Sequence, residues 1–430
     1  MVTADVRIPP GPAEKYDTAE DLLSFIDQNH SRYGDIYKAS IYGSPVYVIS
    51  APAYAEHVLL KNWQNYIRKG QAVKRIALSL GNGIISSNGE FWVSQRRMIQ
   101  PAFNRNAIGA LDALIRRANE LLLARWRSAA ASGTPVNVTR DVSLLTLEIT
   151  LRALFGDDYD QLAPRFAIVA EESRDLGFAT ACSALAKVIV QVIEQRRAKN
   201  TTPNDILGTM MQGRTRDTGQ PMPDVQLARE SLTIIVAGHE TTASVLNWTW
   251  YLLSRHPEVE ARVYAELQPL LREGFPAVDA FPRYTYTRQV MDEALRLYPP
   301  LWLMTRRAVQ DDWLGDYFVP SGTEIYISPY LIQRHPALWH SPGEFDPDRF
   351  APENSKDRHD LATCPFGAGP RNCIGEYLAR VEIQIHLMTM VPQLRLRNDD
   401  SRPAEMVAGT NLLSRDNFIM APEMRPRSSA

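Results

Sequence analysis

The sequence predicts a mainly α-helical chain with minor β-structure. Three observations carry that expectation. Apolar residues recur at helical spacing along most of the 430 residues, one stretch, 224–255, is apolar almost all round, and β-like text is confined to four short runs.

In chain order, Asp17 and Thr18 stand before Leu22, Leu23, Phe25 and Ile26, with Glu20 and Asp21 between them, and predict a capped helix start. Runs 36–42 and 46–49, rich in aromatic and β-branched residues, flank Gly43-Ser44-Pro45 and predict a hairpin. Apolar spacing and Gly/Pro punctuation then place helices at about 52–60, 90–99, 107–130, 141–155, 163–175, 180–197, 224–255, 258–272, 286–297 and 374–391. Two further strand-like runs complete the β content: 316–327, with a Pro320-Ser321-Gly322 turn, and 407–419.

Segment 224–255 carries Leu232, Ile234, Ile235, Val236, Leu246, Trp248, Trp250, Leu252 and Leu253, so it should run through the middle of the molecule. Its centre is nevertheless Ala237-Gly238-His239-Glu240-Thr241-Thr242. A carboxylate and two hydroxyls are costly in a buried helix unless they meet a polar cavity or a partner. Either this face meets water, or it lines a functional groove. Gly238 and a Thr241 hydroxyl bonded back to the carbonyl one turn earlier favour a local bend there.

With 45% hydrophobic and 22% charged residues the chain can bury a large core, which excludes disorder as the default. Lys and Arg number 47 against 49 Asp and Glu, so no net field exists to hold a nucleic acid. Three cysteines, Cys182, Cys364 and Cys373, are too few for a disulfide framework and point to a reducing, cytoplasmic compartment. The first residues lack a basic stretch followed by an apolar run, and His239, Glu240 and Asn247 interrupt 232–253, so no membrane span is expected. The 29 prolines are scattered and no repeat divides the chain, which reads as a single domain over 1–430.

The chemistry concentrates in Phe366-Gly367-Ala368-Gly369-Pro370-Arg371-Asn372-Cys373-Ile374-Gly375. Three glycines and a proline make a tight loop, and Cys373 sits where that loop enters a helix. There the helix dipole and free N–H groups favour a thiolate, the form that binds metal. A lone cysteine is usually just a small buried hydrophobe. Zinc would require more Cys or His ligands close to Cys373 than the sequence provides, so a single thiolate suits an axial iron ligand better. The glycines do not make a dinucleotide-binding loop, because Asn372 replaces the third glycine.

Phe366, Gly369, Arg371, Cys373 and Gly375 satisfy Phe-x-x-Gly-x-Arg-x-Cys-x-Gly, which resembles the haem-binding loop of the cytochrome P-450 monooxygenases of soluble bacterial type. The resemblance spans nearly the whole chain. Glu293-Ala294-Leu295-Arg296 matches the family's Glu-x-x-Arg helix. Pro347-Asp348-Arg349-Phe350 resembles its Pro-Glu-Arg-Phe segment, with Asp for Glu. Residues 237–242 resemble its oxygen-activating helix, and Trp92 and Arg96 match its Trp-x-x-x-Arg.

The resemblance implies a long central helix over haem b (iron protoporphyrin IX), small peripheral β-sheets, and Cys373 as axial iron ligand. It implies that Trp92, Arg96, Arg306 and Arg371 hold the haem propionates, with Arg307 as a substitute for Arg306. Glu293, Arg296 and Arg349 would form a structural charge triad, where the bland alternative is an exposed helix pair worth only a few tenths of a kcal/mol. Glu240 and Thr241 match the acid and alcohol that supply protons, Thr242 being secondary and His239 an improbable ligand. Thiolate ligation favours O–O cleavage and insertion of one oxygen atom into a C–H bond.

Electrons would come from a ferredoxin or flavodoxin type donor with its reductase. Arg96, Arg97, Arg116 and Arg117 either form a docking patch for it or simply solvate two helices. The pocket walls implied are the stretch after Gln71, Leu232, Ile235, Val236, Ala237, 301–304 and 411–413. They suit a small hydrophobic or carrier-borne substrate. A peroxide-driven enzyme and a non-catalytic haem sensor are the alternatives. One departure from the family is a short 155–195 region, where Leu176-Gly177-Phe178 is expected to join two helices under a curtailed lid. Compensation by residues 71–87 is the bland reading.

Overall fold

The apolar stretch forms one helix, Asp224–Arg255, in the computed structural model, which describes residues 7–17, 21–160, 162, 176–398 and 402–426. Pro257 ends it, since the residue before a proline is driven out of helical backbone, and His256 has φ −126° and ψ 74°. From Glu230 to Leu253 burial lapses only at residues 236–241, where Ala237 is exposed. The polar centre of the helix therefore does not sit in apolar packing.

The chain groups into two compact units, each assembled from separated stretches: within 1–74, 292–373 and 404–415, and within 75–291, 374–403 and 416–430. In the first, six strands pair in the order Lys15–Tyr16, Ile36–Ile41, Ser44–Ile49, Glu324–Ile327, Met304–Ala308, Tyr66–Ile67. The expected hairpin is present. Ile41 pairs with Ser44 across Tyr42 and Gly43, both at positive φ (50° and 72°), as a two-residue turn matched to strand twist requires. Ile41, Val46 and Val48 pack on one side with Ile26 and Tyr37, and Ile49, Ile325 and Ile327 on the other with Tyr66 and Val58. A sheet covered on both faces explains why these strands read as apolar runs rather than alternations.

Several expectations need correction. Asp21, not Asp17, caps the first helix, Leu22–Tyr33, by accepting from the Ser24 N–H at 3.1 Å; Thr18 lies outside the described residues. In run 316–327 the Pro320-Ser321-Gly322 turn is present, with the Thr323 N–H on the Pro320 carbonyl at 3.1 Å, but the strands on either side of it do not pair with each other. Tyr317–Val319 pairs back onto Asp312–Leu314 through Gly315 at φ 58°, while Glu324–Ile327 joins the six-stranded sheet. Run 407–419 likewise divides, Met406–Ala408 pairing with Leu412–Ser414 and Ile419 opening the next strand, Ile419–Met424. The helix expected over 107–130 is two, Arg105–Gly109 and Asp112–Ser132, and 258–272 breaks at Pro269 into Pro257–Leu267 and Leu270–Glu273. Leu176-Gly177-Phe178 is not a linker but the first turn of Leu176–Ala198, and the 163–175 helix lies outside the described residues. Helices Gln71–Leu80 and Ile206–Gln212 were not foreseen.

The second unit packs the Asp224–Arg255 helix against Val138–Phe155 and Leu176–Ala198, and carries a three-stranded sheet of Leu394–Arg397, Ile419–Met424 and Val136–Asn137. One buried polar group of this unit is a neutral imidazole. His386, on helix Glu376–Met390, receives the Trp250 indole N–H on Nε2 at 2.8 Å, so Nδ1 carries the proton and donates to Asn119 Oδ1 at 2.7 Å. Burial pushes its pKa down to about 3. The unfolded chain therefore binds a proton below about pH 6.5 that the folded chain refuses. Stability should fall as pH drops through that range, by up to about 1.4 kcal/mol per pH unit from this group. Urea unfolding of wild type and His386→Asn from neutral to mildly acidic pH should show a shallower acid slope in the variant.

Candidate functional site

Glu293 and Arg296 lie one turn apart on helix Thr285–Leu297, both with 0% side-chain exposure, which rejects the exposed-pair reading. Arg296 Nε donates to Glu293 Oε2 at 2.6 Å and Nη2 to Oε1 at 2.8 Å. Its other N–H groups reach the carbonyls of Gln333, Pro342 and Glu344 at 2.8, 2.8 and 3.0 Å. Glu293 also accepts the Asp346 N–H at 2.9 Å, and Arg349 Nε lies 3.4 Å from it while its Nη atoms reach the His340 and Ser341 carbonyls. The triad thus acts on backbone, through some half-dozen hydrogen bonds to charged groups, each stronger than a neutral bond.

Gln333 carries that order onward, and the sequence did not mark it. Its amide donates to the Leu295 and Arg296 carbonyls at 3.0 Å each, and its oxygen accepts the Cys364 N–H at 2.9 Å. From there Gly367 N–H closes onto the Cys364 carbonyl and Cys373 N–H onto the Phe366 carbonyl, both at 2.9 Å. Gly369 has φ 72°, and a Cβ there would stand 2.1 Å from the Leu59 carbonyl, so only glycine fits. Cys373 is exposed on this loop. Cys182 and Cys364 are buried, and burial pushes their thiols up to about 11 and 12. Of three thiols, Cys373 is the one placed to ligate a metal.

The same unit gathers like charges. Arg306 is 4% exposed, and burial together with Arg68 and Arg371 holds its guanidinium well below the usual arginine range. Burial and Arg68 bring Arg371 down to about 9. Arg68 follows directly on strand Tyr66–Ile67, whose pairing with Ala308 and Arg307 ends beside it, and its charge acts on both Arg306 and Arg371. Neighbouring like charges are destabilising unless an anion binds between them. Arg68 was missed because Tyr66–Ile67 is too short a strand to read from sequence. Arg307, the alternative to Arg306, is engaged by Glu324, its Nη2 donating to Oε1 at 2.5 Å.

In the second unit Trp92 and Arg96 lie one turn apart on helix Gly89–Ile99, Trp92 buried and Arg96 donating to Gln100 Oε1 at 3.2 Å. Thr241 donates to the Ala237 carbonyl at 2.6 Å, as expected, and Glu240 stands beside it half-buried. Gly238 meets Thr150, whose hydroxyl would be 3.2 Å from a Cβ. His239 turns away to Ser143 Oγ at 2.9 Å, and burial lowers its pKa, so it is a neutral helix–helix contact. Arg116 is no free docking charge. It binds Asp112 through two bonds, reaches the Pro276 carbonyl and stacks on Phe275 at 3.9 Å.

The cytochrome P450 family profile matches residues 11–176 and 172–417. The chain belongs to the cytochrome P450 family. It is 31% identical to cyclooctatin synthase of Streptomyces melanosporofaciens, over 85% of this chain and 83% of that protein. Pentalenene oxygenase of Streptomyces avermitilis is 29% identical, over 88% of each chain. Among solved structures, the heme domain of cytochrome P450DA superposes with a TM-score of 0.85 at 24% identity, covering 98% of both chains. Retinoic acid bound cyanobacterial CYP120A1 gives 0.87 at 23%, covering 98% of this chain and all of that one. The protein is thus a cytochrome P450 monooxygenase with the family's mainly helical fold. Among the described residues no helix is long and apolar enough to cross a membrane.

The residues present fit the family's haem-thiolate cofactor. One unit holds both an accessible thiol on a glycine-shaped loop and a buried cluster of guanidiniums suited to two carboxylates. Two outcomes follow. Glu293→Ala leaves Arg296 buried without its carboxylate and should cost about 3–5 kcal/mol, read by thermal unfolding. Arg68→Gln should raise the melting temperature of haem-free protein by relieving repulsion, yet speed haem transfer to apomyoglobin several-fold. Opposite signs in the two assays distinguish an anion site from a packing role.

Proposed function

We propose that this P450 inserts one oxygen atom from dioxygen into a largely hydrophobic, terpenoid-like substrate, using electrons from a separate ferredoxin or flavodoxin type donor and its reductase. The observation that carries this reading is the Cys373 loop together with the Arg68, Arg306 and Arg371 cluster. Haem b would be held by Cys373 through its thiolate and by Trp92, Arg96, Arg306 and Arg371, joined by Arg68, through its propionates, with Phe366, Gly369 and Gly375 shaping the loop. When bound, it supplies the iron centre at which dioxygen is reduced and one oxygen atom reaches a C–H bond, the other leaving as water.

The chain's own residues supply protons and shape. Thr241, its hydroxyl proton directed at the Ala237 carbonyl, leaves oxygen lone pairs to accept a hydrogen bond from an ordered water. Rotation about Cβ–Oγ hands its own proton on, and Glu240 next to it replaces that proton from solvent. Of the walls expected around the substrate, Val236, Ala237, Leu301, Leu303 and Leu413 are accessible, whereas Leu232, Ile235, Trp302, Met304 and Leu412 turn into the core. The accessible residues on the central helix and in 301–304 and 411–413 are apolar, and the stretch after Gln71 adds Lys74, Arg75 and Ser79. The apolar walls and the names of the Streptomyces relatives support a hydrocarbon-rich substrate. Three cysteines, two of them buried apart as thiols, fit a reducing, cytoplasmic setting.

The deciding experiment is the difference spectrum of dithionite-reduced protein with and without carbon monoxide. A far red-shifted Soret band that Cys373→Ser abolishes supports thiolate ligation, and a band at the position of histidine ligation overturns it. Thr241→Ala should bind substrate unchanged yet divert most reductant to peroxide or water. Product formed per electron pair checks this, and unchanged coupling rules out the relay.

A further inference from the structure

Gln226, Glu230, Thr233 and Ala237 fall at i, i+4, i+7 and i+11 of the Asp224–Arg255 helix, one stripe of its surface. The stripe ends, a turn on, at Glu240 and Thr241. Its N-terminal part is covered by segment 81–87, and the contacts converge on one carboxyl. Ile84 N–H donates to Glu230 Oε2 at 2.9 Å; Gln226 Nε2 donates to Glu230 Oε1 at 2.8 Å and to the Asn82 carbonyl at 3.0 Å. Gly83 lies so close that a Cβ would stand 2.8 Å from Thr233 Oγ1 and 3.1 Å from Glu230 Oε2. Within the segment the Ser86 and Ser87 N–H groups lie on the Gly83 carbonyl and Ser86 Oγ on the Gly81 carbonyl.

Glu230 is 0% exposed, and among the described residues no cation faces it. Segment 81–87 has no titratable residue. On the helix itself Arg229 packs on Gly81, and Asp224 pairs with Arg197. On the helices packed against it, Glu148 pairs with Arg152, Asp141 accepts from Trp126, Arg196 pairs with Asp158 and Asp205, and His239 turns to Ser143. The carboxyl is held by two neutral donors, and its charge is balanced by neither.

We propose that Glu230 is a positioning residue, the latch of an access flap. Its carboxyl holds segment 82–87 shut along the approach to Ala237 and Thr241, and bulky ligands reach that part of the helix when the latch releases. The proposal rests on the reading that substrate is oxidised beside residues 237–241. Ionisation supplies the release. Burial pushes the Glu230 carboxyl up to about 7 despite its hydrogen bonds, whereas a solvated glutamate in the open flap titrates near about 4.3. Closing therefore takes up a proton. The closed state is favoured at acid pH, loses ground as pH rises from about 4.3, and the effect levels off above about 7.

The test is stopped-flow binding of clotrimazole, a bulky azole, to the ferric holoenzyme, followed by its Soret shift across pH. The wild-type association rate, divided by that of Glu230→Gln at each pH, should rise several-fold between mildly acidic and neutral pH and then flatten. Carbon monoxide, small enough not to need the flap, should bind the reduced enzyme with the same pH dependence in both proteins. Hydrogen exchange of the wild-type Ile84 amide, corrected for its intrinsic base catalysis, should lose protection over the same interval. Parallel azole profiles in the two proteins, or constant Ile84 protection, overturn the latch alone. No azole shift in either protein removes the site the flap guards and overturns the functional reading with it.

Discussion

The architecture around the thiol depends on one buried ion pair, Glu293 with Arg296. Taking two charges out of water is expensive, and such a pair often stabilises a fold no better than well-packed apolar residues of the same volume. Here the return lies in what the charges organise. Arg296 gathers the carbonyls of Gln333, Pro342 and Glu344, and Glu293 gathers the Asp346 amide. A stretch without long regular structure is thereby tied to a helix. Gln333 passes the constraint to Cys364, and the glycine turn passes it to Cys373. A ligand loop must hold one conformation before its metal arrives, and this chain of hydrogen bonds is what holds it.

Charges in the same unit are used in two opposite ways. Arg296 is neutralised within the protein; Arg306 is buried next to further cations, Arg68 and Arg371. The first arrangement stabilises the fold, and the second opposes it, a cost that the carboxylates of the proposed cofactor would relieve. The second unit, besides the buried Arg196–Asp205 pair, also uses neutral groups. His386 and Glu230 are buried and His239 is half-buried, and desolvation shifts all three toward their uncharged forms. Two of them join helices, through Trp250 and Ser143. Glu230 fastens a loop, so its titration changes access rather than packing.

Legibility followed the distance over which each signal acts. The hairpin at Gly43, the 224–255 helix and the Thr241 back-bond are local in sequence and were readable from it. Breaks within long helical text were not, because Pro269 and the Gly109 region interrupt an apolar period that continues on either side. The fate of 316–327 was also hidden, since two turn-forming sites, Gly315 and Gly322, compete to close a hairpin. The choice between them depends on a distant partner, Ser44–Ile49.

By itself the sequence determined the class of fold, the central helix and the Cys373 loop, since helical periodicity and a glycine-shaped turn are written in consecutive residues. Only the tertiary structure decided which polar residues act together. Arg68 adds its charge to that of Arg306, Gln333 reaches Cys364 through a side-chain amide, and Glu230 catches Ile84 across 146 positions of chain. The physical reason is that a buried polar group must find a partner in space, and single-sequence periodicity carries no record of which distant residue that will be.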